Sequence, residues 1–289
     1  MAGMASSRRR KRLSICYTRS CAGQPAYLAS LMLKAQSVFL FLIAAPVVVT
    51  ITTTVVHADC TPGWTGWYAG GQAAVGWQRR DVGVTSQDPA VFGELPFSVG
   101  LDTKGAIGGG QIGYNCQMGA RWVSSIEADF SSSAVKGDGT ANSVFTNFGV
   151  LLPGAYQSVH QQMKWFGTVL GRLGYLASND LMLYGTAGLA YGKLTHSALH
   201  DYTGTGAPFS VFTGLTSQVK AGWVIGGGGE LHLTGNWSAK IEYSIFNLGR
   251  DTVTQRRVLA VPGDPQMLFS SFGSEGQMVR LGINYKFGP

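Results

Sequence analysis

The chain has 289 residues, of which 45% are hydrophobic and only 13% charged, and it holds 41 glycines. That composition is too apolar and aromatic for disorder and too rich in glycine for a helical bundle. The formal charge of +7 is local: Arg8, Arg9, Arg10, Lys11, Arg12, Arg19 and Lys34 precede Ala58 with no acidic residue, leaving 15 basic residues against 15 acidic ones after it. The neutral remainder gives no footprint for nucleic acid.

The first element, 1–58, reads as an export signal. A basic region precedes the apolar run Val38 to Val49, and Val56-His57-Ala58 supplies a small-residue site, which predicts Sec-type export with cleavage after Ala58. The basic region is long, so Met32, which opens Met32-Leu33-Lys34, is an alternative start. A retained helical anchor over 38–56 is the competing reading; Pro46, four threonines and the lack of a basic stop-transfer cluster argue against it. Arg8 and Arg9 lie too far from the apolar run for a twin-arginine signal, and Asp59 before Cys60 spoils a lipoprotein acylation site.

After residue 60 the recurring signal is period-two alternation. The first strand, 67–77, sets Trp67, Ala69, Val75 and Trp77 on one face and Tyr68, Gln72 and Ala74 on the other. The second, 104–115, alternates Ala106, Ile112 and Tyr114 with Gln111 and Asn115. The third, 122–131, sets Trp122, Ile126 and Phe130 against Glu127 and Asp129, and the fourth, 163–176, sets Trp165, Val169 and Tyr175 against Thr168 and Arg172. The fifth, 181–193, and the sixth, 220–233, place Leu183, Leu189 and Trp223 opposite Thr186 and Glu230. The seventh, 237–247, sets Trp237, Ile241 and Ile245 against Lys240 and Glu242. The eighth, 277–287, sets Val279, Leu281, Ile283, Tyr285 and Phe287 against Arg280 and Asn284.

The expected fold is all-β: an eight-stranded, antiparallel, up-and-down transmembrane β-barrel over 59–289. Eight is an even count, and the connections alternate between short turns (116–121, 177–180, 234–236) and long polar loops (79–103, 132–162, 194–219, 248–276). Outer-membrane barrels show this alternation, with turns on the periplasmic side and loops outside. Trp67 and Trp77 lie ten residues apart on one face, as do Trp165 and Tyr175. Ten residues tilted by about 40° climb roughly 26 Å, close to the height of the apolar band. Trp67, Trp122 and Trp237 would form the periplasmic girdle, and Trp77, Trp165 and Trp223 the outer one. A soluble barrel with its tryptophans inside is the alternative. Against it, the opposite face carries Glu127, Asp129, Arg172, Glu230, Lys240, Glu242 and Arg280 mixed with glycine, which suits a polar lumen.

These residues also resemble the alphaproteobacterial outer-membrane β-barrel family of immunogenic surface proteins, the RopB type, related to small opacity-type porins. The matching stretches are Trp64-Thr-Gly-Trp-Tyr-Ala-Gly-Gly71, Gly108-Gly-Gly-Gln-Ile-Gly-Tyr-Asn115, Ile126-Glu-Ala-Asp-Phe130, Trp165-Phe-Gly-Thr-Val169, Gly171-Arg-Leu-Gly-Tyr175, Tyr184-Gly-Thr-Ala-Gly-Leu-Ala-Tyr-Gly192 and Gly226-Gly-Gly-Gly-Glu230. The resemblance spans essentially all of 59–289. It implies an integral envelope protein of a Gram-negative bacterium, a surface antigen in contact with outer-membrane lipid, with members described as structural, porin-like or haemin-binding. The terminal strand, with Val279, Leu281, Ile283, Tyr285 and Phe287 on its apolar face, resembles the signal read by the barrel-assembly machinery, although Gly288 and Pro289 follow the aromatic.

Other features have competing readings. Gly108-x-Gly110-x-x-Gly113 fits a dinucleotide fingerprint by letter, but no helix follows it, so these glycines are read as relief of crowding on a barrel wall. The lumen charges are read as a stabilising network, with Glu230 and Lys240 facing each other across the turn; an ion path is the alternative. Cys60 and Cys116 both fall at the periplasmic rim and are expected to pair there, two free thiols being the alternative. His196 and His200, placed in the third loop, are the candidates for haemin iron, solvated loop histidines being the plainer reading. His160 and the loop serines and aspartates show no spacing that marks a hydrolase triad. The expected function is a non-catalytic surface role without a cofactor, with a narrow diffusion channel or a haemin receptor as alternatives; the loops name no partner.

Overall fold

The computed structural model describes residues 59–86, 97–145, 151–205, 211–258 and 267–288. The leader, its expected cleavage after Ala58 and the Met32 start lie outside them. Nine strands follow in chain order: β1 (Cys60–Ser86), β2 (Phe97–Met118), β3 (Trp122–Ser133), β4 (Lys136–Phe145), β5 (Leu151–Leu176), β6 (Leu181–Asp201), β7 (Val211–His232), β8 (Trp237–Arg257) and β9 (Met267–Lys286). A single 3-10 turn, Thr203–Thr205, is the one helical element among the described residues.

The nine strands make eight staves. β3 and β4 lie end to end, separated by Ala134 and Val135, whose backbones still reach both neighbours: Ala134 N–H donates to Ala106 O at 2.8 Å, and Val135 O accepts from Met163 N–H at 2.9 Å. All pairings are antiparallel, and β1 pairs with both β2 and β9, so the sheet closes on itself. Closure leaves no unpaired edge to template aggregation. Gly119 and Gly235, in the tight turns after β2 and β7, have φ of +64° and +59°, a left-handed conformation that glycine adopts without strain.

The strands are longer than their sequence windows. β1 has 27 residues and β5 has 26, whereas about 9–11 suffice to cross a bilayer. Most of the segments 79–103, 132–162, 194–219 and 248–276, read from sequence as long polar loops, are strand: β1 runs to Ser86 and β2 begins at Phe97. The reason lies in the alternation itself. Above Trp77 the polar side chains Arg79 and Asp81 point outward, while Val82 and Val84 point in and are buried.

Between the girdles the polarity is the reverse. Trp67, Val75, Ile112, Ile126, Leu183, Leu189 and Leu281 are exposed, Leu189 at 65% of its surface, whereas Gln111, Glu127, Thr168, Thr186 and Arg280 are buried inside. A continuous exposed apolar belt of this size has no place in water. It fits a hydrocarbon solvent.

Candidate functional site

The interior is stacked in layers from the turn end upward. At the floor, Trp64, Val123, Leu176, Met182 and Tyr184 pack together. The Trp64 indole N–H donates to Asn179 O at 3.1 Å, tying the start of β1 to the turn between β5 and β6. Trp64 is thus the one tryptophan that faces inward, buried at the floor while the other six stand on the outward parity.

Above the floor lies the charged layer. Glu127 on β3 accepts from Lys240 Nζ on β8 at 2.7 and 2.8 Å, from Arg172 Nη1 on β5 at 3.0 Å and from Tyr68 Oη on β1 at 2.7 Å. Arg172 Nη2 donates to Glu230 on β7 at 2.7 Å, and its guanidinium lies 3.9 Å from the ring centre of Tyr184 on β6. Glu230 also accepts from Ser238 Oγ at 2.6 Å and Asn284 Nδ2 at 2.9 Å. Arg280 on β9 donates to Asp129 at 2.9 Å, Thr168 Oγ1 donates to the same Asp129 oxygen, and Glu242 lies 4.0 Å from Arg280 while accepting from Tyr184 Oη at 3.1 Å. Gln111 on β2 donates to Asn284. Every stave therefore contributes to one buried network.

Register and ion pairing differ here. Glu230 and Lys240 are opposite each other across the β7–β8 hairpin, as are Glu242 and Arg280 across β8–β9. Glu230 and Lys240 face each other as expected, but their ion pairs lie elsewhere: Lys240 crosses the lumen to Glu127, and Glu230 takes Arg172. The barrel is narrow enough for long side chains to reach the opposite wall, where one carboxylate can accept from two cations.

Next comes an apolar layer formed by Ile107, Phe166, Leu170, Leu194, Val224, Phe246 and Met278. Phe166 and Phe246 meet across the lumen with ring centres 5.0 Å apart. Small wall residues make room for this filling. A Cβ at Gly109 would strike Ser131, and one at Gly113 would strike the Tyr68 ring, so these two glycines serve the close approach of β2 to its inner neighbours, whereas Gly108 and Gly110 have room for a Cβ and the crowding read from sequence does not apply to them.

Above the outer girdle, Val82, Val99, Leu101, Val159, Val253 and Phe272 form a second apolar cluster, with His196, His200, Gln157, Gln161 and Gln255 buried around it. This corrects the placement of the two histidines. They lie on β6, four residues apart on its inward face, not in a loop. Four strand residues span about 13 Å, so the two rings sit at different heights along the inner wall. His196 Nε2 lies 3.2 Å from Asp251 and its ring packs on Phe272. Burial pushes the His200 ring down to about 4 and lowers His196 as well, the latter against the pull of Asp251.

At the turn end Cys60 and Cys116 are joined by a disulfide with Cα atoms 5.1 Å apart. Trp67 packs on Tyr114, Trp122 on Tyr175, and Trp237 on Tyr285, with ring centres 5.1–5.4 Å apart. Phe287 follows in the same row, 5.5 Å from Tyr285, and its N–H donates to Trp67 O at 2.7 Å. Val279, Leu281 and Ile283 continue the outward face of β9. At the other end Trp165 stacks between Phe130 and Tyr191, while Trp77 and Trp223 line a cleft of about 650 Å³ with Arg79, Arg80, Lys104 and Phe246. The cleft sits where the β1–β9 ladder lapses, between Trp77–Gln277 and Gly83–Ser271. Side chains hold that gap: Gln78 donates to Gly273 O at 2.6 Å and Arg80 pairs with Glu275.

Sequence reasoning had no signal for the cross-lumen partners or the inner apolar layers. Tyr68 and Tyr184 were visible on the polar face; what was missing was that their buried hydroxyls need acceptors, which here are Glu127 and Glu242. Among the described residues no group of three or more metal-ligating side chains converges. His160 pairs with Asp138 at 2.6 Å on the outward surface.

The geometry agrees with the comparisons. Residues 45–287 match the model of the outer membrane protein beta-barrel domain. The 31 kDa outer-membrane immunogenic protein of Brucella melitensis biotype 1 is 34% identical over 224 residues, covering 78% of this chain and 84% of that protein. The 22 kDa outer membrane protein of Rhizobium leguminosarum bv. viciae is 31% identical over 183 residues, covering 62% and 66%. The outer membrane protein OprG from Pseudomonas aeruginosa aligns over 78% of this chain and 97% of its own, at 11% identity and a TM-score of 0.46. With a closed eight-stave wall, an apolar outer belt and a family match over most of its length, the chain belongs to the outer membrane protein beta-barrel domain family.

Proposed function

We propose that the chain is a non-catalytic, non-conducting envelope protein that holds its loops clear of the membrane on a rigid stalk. The observation that carries this reading is the filled interior: a charged layer and two apolar clusters occupy the lumen from the floor to well above the outer girdle. An eight-stranded wall encloses little more than its own side chains. The immunogenic outer-membrane relative supports exposure at the cell surface. On this reading the leader is removed after Ala58, the barrel-assembly machinery takes up β9, and the turns face the periplasm, where the Cys60–Cys116 disulfide is kept oxidised.

The test is planar-bilayer recording on the purified mature chain, after heat-modifiable gel migration shows that it is folded. The expected result is no steady conductance. Large, steady single-channel steps would overturn the proposal in favour of a diffusion channel.

A further inference from the structure

Four lysines occupy successive positions around the wall at the edge of the outer girdle. Lys104 on β2 stands in register opposite Trp77, and Lys136 on β4 stands opposite Lys104. Lys164 on β5 sits in the register shift beside Trp165, and Lys193 on β6 is opposite Trp165. Lys104, Lys136 and Lys164 are exposed and Lys193 is half-buried.

Like charges directly opposite on neighbouring strands repel, and the two carboxylates beside them form no ion pair with these lysines. Asp102, two residues from Lys104, is taken by Arg79 at 2.9 Å, and Asp138, two residues from Lys136, by His160 at 2.6 Å. Among the described residues none of the four lysines forms an ion pair. Elsewhere on the outer wall Arg79, Arg80 and Lys220 are matched by Asp102, Glu275 and Asp251, while the exposed Arg250 and Arg256 form no ion pair among the described residues but both lie on the single stave β8. Unpaired cations stand side by side on four successive staves at the lysine arc.

We propose that this lysine arc binds the phosphates of anionic lipid headgroups in the outer leaflet, which gives the barrel one preferred side for phosphorylated lipid. The proposal rests on the outer-membrane reading above. The aromatic girdle fixes the height, because tryptophan and tyrosine settle at the level of headgroups. Lysine stems lie along the apolar wall and lift the ammonium to that level. Adjacent staves are about 4.8 Å apart, so the arc spans about 15 Å along a convex wall. That breadth suits several phosphates of a lipid annulus and lacks the concavity that would enclose one small anion.

The test compares the folded mature chain with its Lys104→Gln/Lys136→Gln/Lys164→Gln/Lys193→Gln variant, each titrated in detergent with diphosphoryl lipid A and with the same lipid stripped of both phosphates. Binding is followed by tryptophan fluorescence and native mass spectrometry. The expected result is a preference for the phosphorylated lipid that weakens by up to about fivefold per lysine removed and fades with added salt. An Arg80→Gln variant, whose ion pair is with Glu275 on β9 and not with a neighbour of the lysines, keeps the wild-type preference. A lighter variant, Lys104→Gln/Lys193→Gln, gives the same comparison if the fourfold one does not fold. Equal binding of the two lipids by the wild type, or undiminished preference in the lysine variants, overturns the proposal. So does tighter binding to soluble heparin than to lipid A, which would point to a soluble polyanion. Failure of the wild-type chain to fold in detergent or lipid would instead sink the outer-membrane reading itself.

Discussion

Below the outer girdle, β6 sends Leu183 and Leu189 outward and Tyr184 and Thr186 inward; above it, Lys193 and Thr195 face outward and Leu194 and Ala198 inward. The strand does not bulge and its parity does not change. What changes is the solvent on its outer face. In lipid, apolar side chains belong outside and polar groups must find partners within; in water, burial of apolar surface drives the opposite arrangement. One stave thus obeys both rules in sequence, and the crossover lies beside Tyr191. The two halves hold together differently. The lower half is pinned by ion pairs crossing the lumen, while the upper half is an ordinary apolar core with buried histidines and glutamines.

The largest expected effect is in the lower half. Glu127→Ala leaves Arg172 and Lys240 buried without their shared carboxylate, and truncating one partner of such a network costs about 3–5 kcal/mol. Because every stave meets that layer, the loss should appear as a lower temperature for the heat-modifiable gel shift of the entire barrel. A loss confined to the strands above the girdle would separate the halves less sharply than the network suggests.

Next in size is a pair of outward substitutions on the same stave. Ala187→Arg places a charge inside the apolar belt, between the two girdles, and should cost about 2–4 kcal/mol when folding is measured in lipid vesicles. Thr195→Arg, eight residues on, meets water and should stay within about 0.5 kcal/mol of the wild type. Similar costs at both positions would move the crossover.

The smallest effect is acid sensitivity of the upper half. His200 is folded in neutral form with its pKa pushed down to about 4, whereas an unfolded histidine takes up a proton near 6.5. Between those values the opened state binds more protons, so stability is full above about pH 6.5 and falls as the pH drops toward 4, by on the order of 3 kcal/mol at most. Amide exchange of β5 and β6 above Tyr191, corrected for its intrinsic pH dependence, should quicken between pH 7 and pH 5 while the lower strands stay protected. His200→Gln should flatten the response.

Much of the lower half was legible in the sequence, because a two-sided strand in lipid carries its signature on both faces: Trp67 to Trp77 on one and Tyr68, Gln72 and Ala74 on the other. The upper half was hidden by the same grammar with its polarity reversed. Residues such as Arg79, Asp81, Asp102 and Asp138 read as loop when their outward parity is not considered, although Val82, Val84, Val99 and Leu101 keep the two-residue period through them. The charged residues of the lumen stood out on the inward parity, but the partner of each depends on the barrel's diameter and shear, which local pattern does not encode. Lys240 reaching Glu127 across 113 residues is the case in point. The histidines failed for the opposite reason. Without the strand extension, His196 and His200 look like two solvated loop rings, when four residues of strand set both on one buried face.

The claim that joins these observations is that the membrane ends beside Tyr191 while the barrel continues. It is tested most directly by single cysteines at 183, 187, 189, 193, 195 and 197 of β6, in a Cys60→Ser/Cys116→Ser background folded into lipid vesicles, and labelled with a membrane-impermeant maleimide. Protection at 183, 187 and 189 with ready labelling at 193, 195 and 197 is the predicted result. Labelling throughout, or protection that persists through 197, would contradict it.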